Sequence, residues 1–411
     1  MNMSNCNLCE GCNEEVRREA FNTMKEKYSA ITSFSYNYYE HSQPISLLLG
    51  VTNRCNLNCS YCFVEQNPMD MPLSVAEKAI EWVKTNRQKK NISGKPMVNF
   101  FGGEPLLRYK DLIKPLVEKY GKEIEFGITT NGVLLDENVV DFFYKNKINI
   151  LLSFDGIPSV QNKQRSNSFN EVLKNIPYLL LRYPNVVMRS TLTKASIPYL
   201  YDNVLMAEEL GFKKIVFCPN EFEIWDKEEE KELLAQFKKI GLYIYKALMK
   251  GKIPIMVDPL NSDFNKTNLA IENNLKFNNT IMRCGLGTTG CAITPDGKIV
   301  PCQEKISHPT IILGDLDSGI DKNIHKAFLI DYFEKVNNIS CDKGCSEKIQ
   351  LNCVSDLCPS RLEDLNFALS SPHCVFTRMS NQVANRLHYL CAHSYKDNIR
   401  NYFSGGGQCC G

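Results

Sequence analysis

Between residues 45 and 219 the chain alternates short β-branched runs with amphipathic stretches six times. The runs are Ile45–Val51, Met97–Phe101, Ile124–Thr130, Ile148–Phe154, Val186–Leu192 and Ile215–Pro219. Helical periodicity fills the intervals at Ser74–Thr85, Lys110–Tyr120, Glu137–Lys145, Asn170–Leu181 and Tyr199–Leu210. Six β-then-α units of this spacing predict a parallel sheet, either doubly wound or closed into part of a barrel. Polar and glycine-bearing motifs gather at the C-terminal ends of several different strands, where a barrel places its chemistry, so the expected fold is a partial (β/α)6 barrel of the TIM type.

Composition narrows the chemistry. Net charge is only +2 over 411 residues and no basic tract occurs, so nucleic acid binding has no electrostatic support. No run of about eighteen apolar residues occurs and the N-terminus is polar, which predicts no membrane span and a cytoplasmic protein. Eighteen cysteines against six histidines point to thiolate ligation of metal in a reducing compartment rather than to disulfides or mixed-ligand sites.

Cys55, Cys59 and Cys62, in Thr-Asn-Arg-Cys-Asn-Leu-Asn-Cys-Ser-Tyr-Cys, follow the first strand. Three thiolates are one fewer than a [4Fe–4S] cluster needs, which leaves one iron open to a small molecule. A zinc knuckle or three buried thiols are the plainer readings of such spacing. With this run the chain resembles the radical S-adenosylmethionine (SAM) superfamily, in which the open iron chelates SAM and cluster reduction cleaves it to methionine and a 5′-deoxyadenosyl radical. The resemblance also implies the partial barrel.

Further motifs fit. Phe101-Gly102-Gly103-Glu104-Pro105 follows the second strand; its glycines permit close backbone approach and Glu104 can accept from an ammonium. The resemblance makes it the motif that holds the SAM amino group. Thr129-Thr130-Asn131-Gly132 and Ser153-Phe154-Asp155-Gly156 end the third and fourth strands, as turns do, and by resemblance lie near the SAM ribose and methionine, with Ser153 and Asp155 as contacts. Arg165 lies in the loop after the fourth strand and is a candidate SAM contact; Arg189, inside the apolar fifth strand, needs an anionic partner or a polar cavity, the partner being the SAM carboxylate or a barrel glutamate. Tyr61 occupies the aromatic position that packs near adenine in relatives.

A charged helix is expected over Asp226–Lys250, leading to Ile253–Asp258. Residues 284–374 are loop-rich and hold eight cysteines: Cys284, Cys291, Cys302, Cys341, Cys345, Cys353, Cys358 and Cys374. Pro295-Asp296-Gly297 reads as a hairpin turn between two short strands that bring the flanking cysteines to one end. The order resembles the SPASM extension of radical SAM enzymes, with Gly297 and Cys302 on its pattern. The four-cysteine run departs from it, with gaps of three, seven and four where the family has two, five and three. Eight thiolates suit two fully ligated auxiliary [4Fe–4S] clusters, or two zinc sites. The family's interleaving assigns Cys284, Cys291, Cys302 and Cys358 to the nearer cluster and Cys341, Cys345, Cys353 and Cys374 to the distal one. The implied organisation is an N-terminal extension (1–44) with a helix over Glu14–Lys27, the barrel (45–258), the auxiliary-cluster domain (259–379) and a C-terminal helix, Ser380–His393, with a Gly/Cys tail (380–411). Cys6, Cys9 and Cys12, with Cys409 and Cys410, could bind further metal or be mobile thiols; Cys391 reads as core, and Cys218, at the end of the sixth strand, as a buried apolar thiol or one facing the barrel cavity.

Relatives of this architecture modify peptides or proteins. In anaerobic sulfatase-maturating enzymes a basic aspartate follows the second SPASM-motif cysteine; here Gln303 stands there, with Glu304 beside it as a possible substitute. That tilts the expectation toward a peptide maturase forming thioether crosslinks in a cysteine-rich precursor peptide, supplied with electrons by a flavodoxin- or ferredoxin-type reductant. The 44 residues before the first strand are too few for the leader-binding domain that many such maturases carry. A non-catalytic Fe–S electron carrier would have no use for the Gly-Gly-Glu loop or six βα units.

Overall fold

The computed structural model describes residues 44–261, 287–337, 372–392, 399, 402 and 403. The expected helix Glu14–Lys27 and Cys6, Cys9, Cys12, Cys284, Cys341, Cys345, Cys353, Cys358, Cys409 and Cys410 lie outside them.

All six expected strands form within one residue of their expected limits: β1 (Ser46–Thr52), β2 (Met97–Gly102), β3 (Glu125–Thr130), β4 (Asn149–Ser153), β5 (Val187–Leu192) and β6 (Lys214–Pro219). They pair in chain order, each parallel to the next, and β7 (Met256–Asp258) adds to β6. On the other edge β8 (Gly290–Ile293) pairs parallel with β1 and turns at Pro295-Asp296-Gly297 into antiparallel β9 (Lys298–Val300), the hairpin read from sequence. The short strands β10 (Gly314–Asp315) and β11 (Gly319–Ile320) complete one sheet in the order β11-β10-β9-β8-β1-β2-β3-β4-β5-β6-β7. The partial barrel expected from sequence is present, and its sheet continues into the cysteine-bearing hairpin.

Period-two burial separates the faces. In β5, Met188, Ser190 and Leu192 are buried toward the helices while Val187, Arg189 and Thr191 face the interior of the curved sheet and stay partly exposed. The outer face packs Leu47, Leu49, Val98, Phe100, Ile128 and Leu152 against helical residues such as Ile80, Val83, Leu116 and Val140. Fully burying each such side chain contributes about 1.5–3 kcal/mol.

Local chemistry sets the helix ends, and prolines cause the departures. The Glu137–Lys145 helix starts where Asp136 accepts from the Val139 amide at 2.9 Å, and Lys227–Met249 starts at a capping box between Asp226 and Glu229. The single helix expected over Asn170–Leu181 is two, Phe169–Leu173 and Ile176–Arg182, because Pro177 lacks an N–H and fits only a first turn. Pro115 likewise confines the regular helix expected over Lys110–Tyr120 to Lys114–Tyr120, preceded by a 3₁₀ turn and a π turn. The C-terminal helix runs Pro372–Ala392, beginning eight residues before the expected Ser380, and so takes Cys374 into its first turn. It packs on Lys227–Met249: Phe376 meets Phe237 edge-on at 5.6 Å, and Arg378 grips Glu230 with two bonds of 2.9 and 2.8 Å. Cys391 faces this core, as expected. Among the described residues no helix is long and apolar enough to cross a membrane.

Candidate functional site

The chain leaving β1 carries the cysteine triad across the C-terminal ends of the strands, and two sets of contacts hold it there. The first comes from β2. Gly103 N donates to Thr52 O at 2.8 Å and Glu104 N to Arg54 O at 2.9 Å. A Cβ on Gly102 (φ +133°) would lie 2.2 Å from Thr52 O, and one on Gly103 2.1 Å from Arg54 O, so the glycines are required by close approach of two backbones. Glu104 is buried and ties β2 to β3: it accepts from Leu106 N at 3.0 Å, Thr130 Oγ1 at 2.7 Å and Asn131 N at 2.8 Å. Burial raises its carboxyl above the ordinary glutamate value, against the pull of these donors. Asn131 then turns to the triad, with Nδ2 2.8 Å from Asn56 Oδ1 and 3.9 Å from Cys55 Sγ.

The second set comes from the segment after β4. Asp155 is fully buried and accepts from Tyr61 Oη at 2.7 Å, Gln164 Nε2 at 2.8 Å and Thr191 N at 2.9 Å. Arg165 Nε lies 2.9 Å from the same carboxylate, and the guanidinium stacks over the Tyr61 ring at 5.3 Å. Arg165 is thus paired with an aspartate of its own chain. Tyr61, read as a packing aromatic, is also a hydrogen-bond donor. The triad loop is bound to this segment through its backbone: Asn58 N donates to Ser166 Oγ at 2.8 Å and Ser60 N to Gln164 O at 2.9 Å.

Among the thiols, Cys55 and Cys59 are half-buried and Cys62 is exposed; all three are free of disulfides. Burial raises Cys55 and pushes Cys59 up to about 11, with Arg165 pulling Cys59 the other way. Cys59 feels the charges of Cys55 and Cys62, and Cys55 feels that of Cys62, so the three form one electrostatic group. Among the described residues no three His, Cys, Asp or Glu side chains gather tightly enough to hold a single metal ion. A cubane interposes irons and sulfides between its thiolates and needs a wider stance.

Ser153 and Arg189 are register partners on β4 and β5, which puts both on the inner face. Cys218 of β6 is the neighbour that most favours the charged form of Arg189. The hairpin approaches from the opposite side. Register places Cys291 at the start of β8 level with Pro301, so Cys291 and Cys302 come to one end of the hairpin as expected. Cys291 is buried, which raises its thiol; Cys302 is half-buried. Gln303 and Glu304 form a partly exposed 3₁₀ turn. The next residues lock onto the barrel: Ile306 packs with Phe101, Ala292 and Val300, and a Cβ on Gly50 would lie 2.4 Å from Ile306 Cγ2. Ser307 Oγ accepts from Glu65 N, three residues past Cys62, at 3.0 Å. Phe63 stacks between Phe101 and Phe222 at 6.2 and 6.3 Å.

Sequence reasoning missed Gln164, Ser166, Phe63 and Phe222, which carry no motif. Asn131 was visible only inside a turn motif.

Residues 49–195 match the Radical SAM superfamily family model. The chain is 32% identical over 183 residues to the uncharacterized protein MJ0907 of Methanocaldococcus jannaschii, covering 42% of this chain and 61% of that protein. It is 35% identical over 124 residues to a PqqA peptide cyclase of Granulibacter bethesdensis, covering 30% of this chain and 32% of that one. The chain thus spans less than two thirds of the length of either relative. The solved structure of hexahistidine-tagged anSMEcpe with bound AdoMet superposes with a TM-score of 0.64 at 18% identity, covering 88% of this chain and 98% of the other, a likeness of fold. The native enzyme with bound AdoMet and Cp18Cys peptide superposes at 0.61 and 19% identity, over 84% of this chain and 98% of that one. The half-exposed triad at the mouth of the partial barrel lies within residues 49–195, the stretch that matches the radical SAM model.

Proposed function

We propose that this protein is a radical SAM enzyme that modifies a peptide, with Cys55, Cys59 and Cys62 as the thiolates of a [4Fe–4S] cluster. The observation that carries this reading is the triad loop itself: three disulfide-free thiols, electrostatically linked and partly open, held from two sides at the barrel mouth. When bound, the cluster and SAM supply a 5′-deoxyadenosyl radical that takes a hydrogen atom from substrate. Gly102, Gly103 and Glu104 shape the approach to the triad, Ser153 and Arg189 line the inner face, and Arg165 offers the outer nitrogens of its guanidinium to the SAM carboxylate. Asp155 and Tyr61 act by holding Arg165.

The substrate class follows from relatives with peptide-modifying names and from a fold shared with an enzyme solved with a peptide. The finer reading is a thioether crosslink in a cysteine-rich precursor peptide, with a flavodoxin- or ferredoxin-type reductant. It is supported by Gln303, which cannot take a proton where the sulfatase-maturating group has aspartate, and by the nearby Cys291 and Cys302, candidate ligands with Cys284, Cys341, Cys345, Cys353, Cys358 and Cys374 of auxiliary clusters. Glu304 is the available base.

The test is anaerobic reconstitution, SAM cleavage with dithionite, and mass spectrometry of a cysteine-rich peptide encoded beside the gene. A thioether removes two hydrogens, about 2 Da, that reduction does not restore. Conversion of a sulfatase-type serine or cysteine to formylglycine would replace the crosslinking reading with the sulfatase-maturating one.

A further inference from the structure

The two amides that flank Cys59 in the chain, Asn58 N and Ser60 N, donate to the two residues that flank Arg165, at Ser166 Oγ (2.8 Å) and Gln164 O (2.9 Å). Cys59 and Arg165 thus each sit at the centre of a two-rung clamp, near enough for the Arg165 charge to act on the Cys59 sulfur. The clamp is built at a cost: Ser166 (φ +54°) and Asn167 (φ +55°) are consecutive non-glycine residues in the left-handed region. Such outliers cost about 1–3 kcal/mol each and persist only where the surroundings impose them. Here Ser168, Gln161 and Asn162 do so: Gln161 Nε2 donates to Ser168 Oγ at 2.8 Å, and Asn162 accepts from Asn167 N through its carbonyl and from Phe169 N through Oδ1, both at 2.9 Å. Behind the guanidinium, Asp155 is fixed by Tyr61, Gln164 and Thr191.

We propose that Arg165, besides any contact with SAM, sets the reduction potential of the group held by the triad, its charge presented to the Cys59 side by the 164–167 turn and opposed by Asp155. The inference rests on the reading of the triad as a cluster site and goes beyond it. An Fe–S cluster gains negative charge on reduction, and its potential follows net charge and hydrogen bonding around the sulfurs. A guanidinium facing one thiolate favours the reduced form; the carboxylate behind it favours the oxidised form.

Potentiometric titration of the reconstituted full-length enzyme, followed by electron paramagnetic resonance, tests this. The relevant signal is the one absent from the Cys55→Ala/Cys59→Ala/Cys62→Ala variant. Arg165→Gln is expected to lower the equilibrium constant for reduction about tenfold, about 59 mV to more negative potential for one electron. Asp155→Asn is expected to move it the opposite way, and Arg165→Lys to leave it near wild type. A purely structural role predicts no reversal of sign. Unchanged potential in Arg165→Gln, or shifts of the same sign in Arg165→Gln and Asp155→Asn, overturns the proposal. Should Arg165→Gln fail to take up iron, the other two variants decide: any pattern but wild-type-like for lysine and upward for asparagine overturns it. If no signal depends on the triad, the cluster reading itself falls, a distinct result.

Discussion

The barrel mouth and the added hairpin layer handle buried polar groups in opposite ways. At the mouth, the buried carboxylates of Glu104 and Asp155 each collect three hydrogen-bond donors, and the thiols sit on a loop with partial access to solvent. In the hairpin layer Cys291 is sealed in a strand, and on the helix that follows it (Lys322–Asn337) His325 is buried with its Nε2 lacking a hydrogen-bond partner among the described residues. Polar saturation rigidifies a site before any ligand arrives, while apolar burial only supports it. The mouth is thus preorganised by its own side chains, and the hairpin layer supplies the wall against which Phe63 and Phe101 pack.

Replacing Cys55, Cys59 and Cys62 together by alanine has the largest expected effect: loss of about four irons per chain and of SAM cleavage. Undiminished cleavage measured as 5′-deoxyadenosine would end the claim that the mouth is the reactive region. Glu104→Ala strands three buried donors and should destabilise the fold by about 3 kcal/mol in chemical denaturation, whereas Glu104→Gln, which keeps an acceptor, should cost less. Equal costs would mean that the donors are resatisfied and the mouth is less rigid than described.

The hairpin layer has its own signature in pH. Burial lowers the His325 imidazole from 6.5 to about 4, so the unfolded chain binds the proton more readily than the folded one. Stability from this group is complete above pH 6.5 and falls as pH drops toward 4, a loss approaching about 3 kcal/mol. His325→Leu should flatten that slope in denaturation midpoints measured between those pH values. Gly103→Ala drives a Cβ to 2.1 Å from Arg54 O and should cost about 1–3 kcal/mol together with reduced iron uptake. Gln303→Asp should leave SAM cleavage unchanged and alter only the peptide product by mass spectrometry; an effect on cleavage would mean that the hairpin layer does more than support.

Much of the barrel was legible locally. Period-two runs located six strands, and Pro-Asp-Gly located the β8–β9 hairpin. The triad and the Gly-Gly-Glu loop marked one side of the mouth because their chemistry is packed into short runs. The other side was only half visible. Asp155 and Arg165 stood out as residues, but no motif announced that they pair, and Tyr61, which joins them, is 94 positions from Asp155.

By itself the sequence determined what depends on neighbours along the chain: strand periodicity, the helices over Glu137–Lys145 and from Asp226, and the grouping of three cysteines just after the first strand. Even there, Pro115 and Pro177 were visible and the breaks they impose were not anticipated, because periodicity alone carries through a proline. Only the tertiary structure decided that β8 would pair with β1, that Glu65 would reach Ser307 across 242 positions, and that Asn58 would reach Ser166 across 108. Their donors are backbone N–H groups that every non-proline residue carries, and single serines stand out in no local pattern; chain topology alone brings them within a hydrogen bond.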